Sequence, residues 1–90
     1  MPSIRIPTPL RSYVGGQNEV RVQGLTVAQA LDSLTSQHPT LRPHLFNDAG
    51  ELRSFVNLFL NESNVKDLGG LQTPLGEADR LMLIPSIAGG

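Results

Sequence analysis

Few side chains in this sequence could do chemistry by themselves. His38 and His44 are its two histidines, with no cysteine and no ordered run of Asp or Glu beside them. Zinc sites repeat Cys and His at closer spacings, so neither histidine is expected to hold a metal. His38 closes a helical stretch and suits the negative end of a helix dipole instead. Cysteine is absent altogether, which excludes disulfides, thiolate metal sites and cysteine nucleophiles. The carboxylates Asp32, Asp48, Glu51, Glu62, Asp67, Glu77 and Asp79 fall on loops and an exposed helix face, whereas a general acid and base need a shared pocket. No serine stands in a G-x-S-x-G context, and Ser12 and Tyr13 have no evident base. The phosphate-binding pattern G-x-x-x-x-G-K-[ST] is missing too, Lys66 being the only lysine. What remains is the last stretch, "PSIAGG", residues 85–90.

A terminal carboxylate is a poor electrophile until ATP converts it to an acyl-adenylate, which a sulfur nucleophile or an amine can attack. The enzyme that does this must admit the chain end, and glycine permits close approach because it has no Cβ. Pro85 cannot donate a ladder hydrogen bond, so a sheet tends to stop there. From Pro85 to Gly90 an extended tail reaches roughly 20 Å at about 3.3–3.6 Å per residue, enough to thread a channel while the body docks outside. A chain without thiols also cannot divert its own activated acyl group. The competing reading is a frayed end with no role. On either reading the chain is not expected to be an enzyme, and what it does it does through a partner.

The elements that must carry this tail follow from hydrophobic spacing. "SIRI" (residues 3–6) alternates as a strand and is ended by Pro7 and Pro9. Gly15-Gly16 precedes a second alternating run at 19–22, which predicts a hairpin, and Gly24 breaks that strand. "TVAQALDSLTSQHP" is the clearest helix. Thr26 and Gln29 form a capping box, and Val27, Ala30, Leu31 and Leu34 recur at the spacing of one buried face before Pro39 ends it. "LRPHLF" reads as one further helical turn before an "NDAG" loop. A strong strand is predicted over 53–62, with Val65 in a short edge strand. Gly69-Gly70 marks a turn, and the last strand spans 80–85. The order β-β-α-β-(β)-β makes an α+β layer fold with the helix covering one face of the sheet.

Alternation then divides the strands. With Leu58, Leu81 and Leu83 toward the helix, Phe59, Met82 and Ile84 point the other way. Three apolar residues on an uncovered face form a partner site, unless side layers or loops cover them.

Composition narrows the classes. With 39% hydrophobic and 17% charged residues the chain reads as globular rather than disordered. The net charge is −1 and the seven basic residues are scattered, so no basic stripe points to nucleic acid. Three Phe, one Tyr and no Trp leave little for base stacking. No apolar run is long enough to span a bilayer, and "MPSIRIPTPL" lacks the charged start and apolar core of a signal peptide. A cytoplasmic protein is expected.

The strand order, the last strand and the terminal Gly-Gly together resemble the β-grasp, ubiquitin-like proteins. "LIPSIAGG" after "LGEADRLM" is similar to the ends of the MoaD/ThiS sulfur carriers, which read as an acidic turn (here Glu77-Ala78-Asp79), a strand, a proline and Gly-Gly. "RSFVNLFLNESNV" resembles their Val-Asn strand and turn. "IPTPLRSYVGGQNEV", "FVNLFLN" and "LGGLQTPL" most resemble the carriers that partner a cysteine synthase, the CysO type. The likeness spans nearly the whole chain. It implies a β-grasp domain over residues 1–84, a mixed four- to five-stranded sheet packed on one main helix, followed by a flexible tail over 85–90.

It also implies that Gly90 is adenylated by an E1-like activating enzyme of the MoeB/ThiF type, which uses ATP and magnesium, and is then converted to a thiocarboxylate. Gly89 and Ala88 would be needed for tail insertion, and Phe59, Met82 and Ile84 for docking. The sulfur would pass to a pyridoxal-phosphate cysteine synthase. The large subunit of molybdopterin synthase is the alternative acceptor, this chain then being the small subunit. Conjugation to proteins as a ubiquitin-like modifier is a further alternative. No tightly bound cofactor, metal, nucleic acid or membrane enters any of these readings.

Overall fold

The computed structural model describes residues 1–54 and 56–85. Helix α1 (Val27–Gln37) forms where the apolar spacing places it, with Val27, Ala30, Leu31 and Leu34 all buried. Its start is capped twice. The Thr26 hydroxyl oxygen accepts from the Gln29 backbone N–H at 3.3 Å, while the Gln29 side chain accepts from the Leu25 N–H at 2.8 Å. The reach-back therefore lands one residue before the cap, a shifted form of the box that still satisfies two exposed donors. Thr35 is buried on the same helix, and its hydroxyl donates to the Leu31 carbonyl at 3.0 Å. His38 closes the helix with its N–H on the Leu34 carbonyl, and Pro39 follows.

Five strands make the sheet: β1 (Ser3–Arg5), β2 (Glu19–Arg21), β3 (Val56–Leu60), β4 (Ser63–Asn64) and β5 (Arg80–Pro85). Their spatial order is β2-β1-β5-β3-β4. β1 and β5 run parallel at the centre, and every other neighbour is antiparallel. This mixed sheet with α1 across one face is the β-grasp. Ile4, Ile6, Val20, Val22, Leu81 and Leu83 pack with the apolar face of α1 in one continuous core. The single turn α2 (Arg42–Leu45) adds Leu45 to that core, and Leu41 just before it is also buried. Arg42 then lies 5.0 Å over the Phe46 ring, a cation–π contact.

Gly24 explains how the chain leaves β2 so close to the helix. Its φ is +150°, and a Cβ there would sit 2.8 Å from the Ala30 backbone nitrogen and from Gln29 Cβ. Only a residue without a side chain can enter α1 along this path.

The structure departs from expectation in four places. Residues 8–14, to which the sequence pattern assigns no element, form a 3-10 helix, where Pro7 and Pro9 remove ladder donors and fix φ. The Gly15-Gly16 turn (φ 69° and 82°) therefore joins that helix to β2, and β1 pairs with β2 across a long connection instead of a tight hairpin. β3 is shorter than 53–62. Val65 is not in a strand: it is buried in a 3-10 turn over 65–67, started by the Asn64 side chain accepting from the Lys66 N–H at 2.9 Å. The edge strand is Ser63–Asn64. Of Gly69-Gly70, only Gly70 has positive φ (60°). Among the described residues no helix is long and apolar enough to cross a membrane.

Candidate docking face and tail base

β5 divides its residues by the two-residue period of a strand. Leu81 and Leu83 are 0% and 1% exposed beneath α1, while Met82 and Ile84 are each 39% exposed on the opposite face. Phe59 on β3 lies directly across from Met82, and Asn57 lies across from Ile84. Phe59 is half-buried. Phe59, Met82 and Ile84 are thus brought together as a short apolar stripe, as alternation predicts, and no layer of the described chain closes over Met82 and Ile84.

The start of β5 is fixed by the acidic turn. Asp79 Oδ2 accepts from the Gly76 N–H at 2.7 Å, and the Asp79 carbonyl accepts from the Ser3 N–H at 3.2 Å. The carboxylate therefore closes the turn while the same residue's backbone ties β5 to β1. That pins the register that sends Met82 and Ile84 outward.

Charge is distributed unevenly around the stripe. Arg80 Nε lies 3.6 Å from Glu19 Oε1, and Glu62 lines the groove that Arg80 and Met82 share. At the other end of β5, Arg5 and Arg11 line a depression of about 150 Å³ with Pro7, Met82 and Ile84. Among the described residues no carboxylate lines it. Arg11 is oriented by its own Nε, which donates to the Ile6 carbonyl at 3.1 Å. Arg5 is exposed and stands opposite Met82 in the parallel β1–β5 register.

Alternation along "SIRI" already turns Arg5 away from the core. Nothing in the sequence pattern placed Arg11, because residues 8–14 fold into a 3-10 helix whose periodicity is not that of a strand.

Ala88, Gly89 and Gly90, and all of the 85–90 tail except Pro85, lie outside the described residues. Pro85 itself is the last residue of β5. The two histidines are not brought together as ligands: His38 caps α1, and His44 packs on Tyr13 with ring centroids 4.2 Å apart. Among the described residues no three His, Cys, Asp or Glu side chains gather as a metal site. Every buried side-chain polar atom there has a hydrogen-bond partner, as is usual for a folded interior.

Comparison with known proteins gives the same outline. The family model described as the ThiS family matches residues 4–90. The sulfur carrier protein CysO of Mycobacterium tuberculosis is 32% identical over 90 residues, covering 98% of this chain and 97% of that protein. Small archaeal modifier protein 1 of Haloferax volcanii is 38% identical over 84 residues, covering 86% and 87%. Among solved structures, a chain of the Amycolatopsis orientalis BexX/CysO complex superposes with a TM-score of 0.90 at 32% identity, covering 100% of each chain.

Proposed function

This chain belongs to the ThiS family of ubiquitin-like sulfur carriers, and from that premise we propose that the Gly90 carboxylate is its working group. An E1-like activating enzyme of the MoeB/ThiF type binds the open face through Phe59, Met82 and Ile84 and takes in the tail, with Ala88 and Gly89 in its channel. A carboxylate oxygen of Gly90 attacks the α-phosphorus of ATP held with magnesium by that enzyme, and pyrophosphate leaves. A sulfide-level donor then attacks the acyl carbon, and AMP leaves. Gly90 now ends in a thiocarboxylate, whose sulfur is passed to an acceptor. The acceptor favoured here is a pyridoxal-phosphate cysteine synthase acting on an activated serine derivative, which places the chain in cysteine biosynthesis.

The observation that carries this reading is the apolar stripe on the open face beside the strand that leads directly into "SIAGG". The family match running through residue 90 and the whole-length likeness to CysO support it. The protein itself supplies a body and a tail, and the catalytic groups belong to its partners. The 38% identity to a small archaeal modifier protein favours one second reading, in which the activated Gly90 is joined to lysines of other proteins.

Intact mass spectrometry of the chain after incubation with ATP, sulfide and the activating enzyme of the same organism tests both. A mass raised by the exchange of one oxygen for sulfur at Gly90 is expected. An unaltered Gly90 would overturn the carrier reading, and higher-mass conjugates in cell extracts would favour the modifier.

A further inference from the structure

Seven basic residues and eight acidic ones give this chain its net charge of −1, and in the sequence they look evenly mixed. Folding does not keep them so. Arg5, from β1, and Arg11, from the 3-10 helix that follows, converge on one depression at the Ile84 end of β5. Among the described residues the only ion pair is Arg80 with Glu19, so neither Arg5 nor Arg11 is neutralised by a neighbour. Arg11 is held in place by its bond to the Ile6 carbonyl. Two guanidinium groups left unpaired around one concavity repel each other. Among the described residues nothing in the fold compensates that pair of charges.

The position indicates what would compensate them. The depression adjoins Met82 and Ile84 and lies where β5 gives way to residues 86–90. Those five residues, extended, reach roughly 17 Å at about 3.3–3.6 Å each. With the tail extended into a partner's channel, Arg5 and Arg11 would stay outside the site that the Gly90 carboxylate enters, at the channel's mouth rather than at the reacting atoms.

We infer that the Arg5–Arg11 depression docks onto an acidic protein surface, a pair of carboxylates flanking the tail channel of the activating enzyme. This rests on the carrier reading above. Guanidinium groups suit the task because their planar forks pair with carboxylates through two hydrogen bonds. The apolar stripe supplies contact area, and the two arginines supply steering and orientation, setting which way the tail points as the body arrives.

The test is ATP–pyrophosphate exchange catalysed by the activating enzyme of the same organism, with this chain as the varied substrate. Reversing both charges (Arg5→Glu with Arg11→Glu) is expected to raise KM at least about tenfold while kcat at saturation holds. The wild-type KM should climb from about 0.1 M to about 1 M NaCl, as the screening length falls from about 10 Å to about 3 Å, and that of the double variant should not. Lys66→Glu, at the far edge of the sheet, changes net charge by as much as Arg5→Glu alone and should leave KM in place.

Should the loss of the Arg11–Ile6 bond unfold the double variant, Arg5→Glu alone decides, because the Arg5 side chain makes no hydrogen bond or ion pair among the described residues. Its circular dichroism melt reports the fold independently of KM. A KM indifferent to Arg5→Glu while wild type is adenylated overturns the docking inference alone. Absence of exchange with wild type overturns the carrier reading and this inference with it. Retention on a single-stranded oligonucleotide, lost in the variants while KM is unchanged, would assign the patch to nucleic acid and overturn it too.

Discussion

The two faces of the sheet are built from the same strands and obey different rules. Toward α1, Leu58, Leu81 and Leu83 are at most 3% exposed and sit in one core with the apolar face of the helix. Away from it, Phe59, Met82 and Ile84 alternate with them on the same strands, and Met82 and Ile84 remain 39% exposed. Hydrophobicity alone does not distinguish the sets; their neighbours do. The covered face is filled by a helix whose residues have nowhere else to go. The open face carries apolar groups bordered by guanidinium groups, a composition that suits an interface rather than an interior. One face fixes the shape, and the other is the one proposed above to meet a partner.

The sharpest way to break this comparison is to shorten one residue on each face of β5. Leu83→Ala removes buried methyl groups from a packed core and should cost about 3 kcal/mol. Met82→Ala, one residue away, should cost less than about 1 kcal/mol because the side chain is already partly in water. Urea denaturation of the two variants measures the difference. Equal losses would mean that the open face is structural after all, and its assignment to docking would fail.

That division was legible in the sequence because period two is a strong signal wherever a strand is buried on one side. The capping box at Thr26 and the apolar spacing of α1 were legible for similar reasons, since local hydrogen bonding and one buried stripe decide them. Residues 8–14 were not. Leu10, Tyr13 and Val14 pack against the core from a 3-10 helix, and so short an element has no period long enough to read. With it went Arg11, whose position depends on that helix and on the Ile6 carbonyl. Val65 was misplaced for a different reason: a β-branched residue favours a strand, but the Asn64 side chain turns the backbone first. The significance of Gly24 was only half visible. A strand break could be read, yet the approach to Ala30 and Gln29 is a tertiary fact.

Gly24→Ala sharpens the comparison on the covered side. The added methyl would meet the backbone of α1 at 2.8 Å in a conformation of φ +150° that side chains rarely adopt. Backbone atoms cannot step aside as a flexible side chain could. A loss of about 2 kcal/mol is expected, within the range for a strained residue of this kind, with the last turn of β2 and the first turn of α1 losing amide protection together in hydrogen exchange. A melting temperature equal to wild type would show that the strand-to-helix passage has slack that the geometry denies.

The smallest effect is expected at Arg80, and it separates the open face into two ends. Arg80 carries the same charge as Arg5 and borders the same stripe, but Glu19 stands 3.6 Å from it and Glu62 lines its groove. An exposed ion pair of this kind contributes no more than about 1 kcal/mol and is screened by salt, so Arg80→Gln should leave folding stability within about 0.5 kcal/mol of wild type. Its positive field is also already spent on its own neighbours, which leaves little for a partner. Adenylation of Arg80→Gln should therefore show a KM within about twofold of wild type, against the large change expected for Arg5→Glu. If Arg80→Gln instead raises KM as far as the reversal at Arg5 does, the positive charge acts as one field over the whole open face. Steering would then not be concentrated at the base of the tail, and the partner's carboxylates would have to extend along β5 toward its Arg80 end.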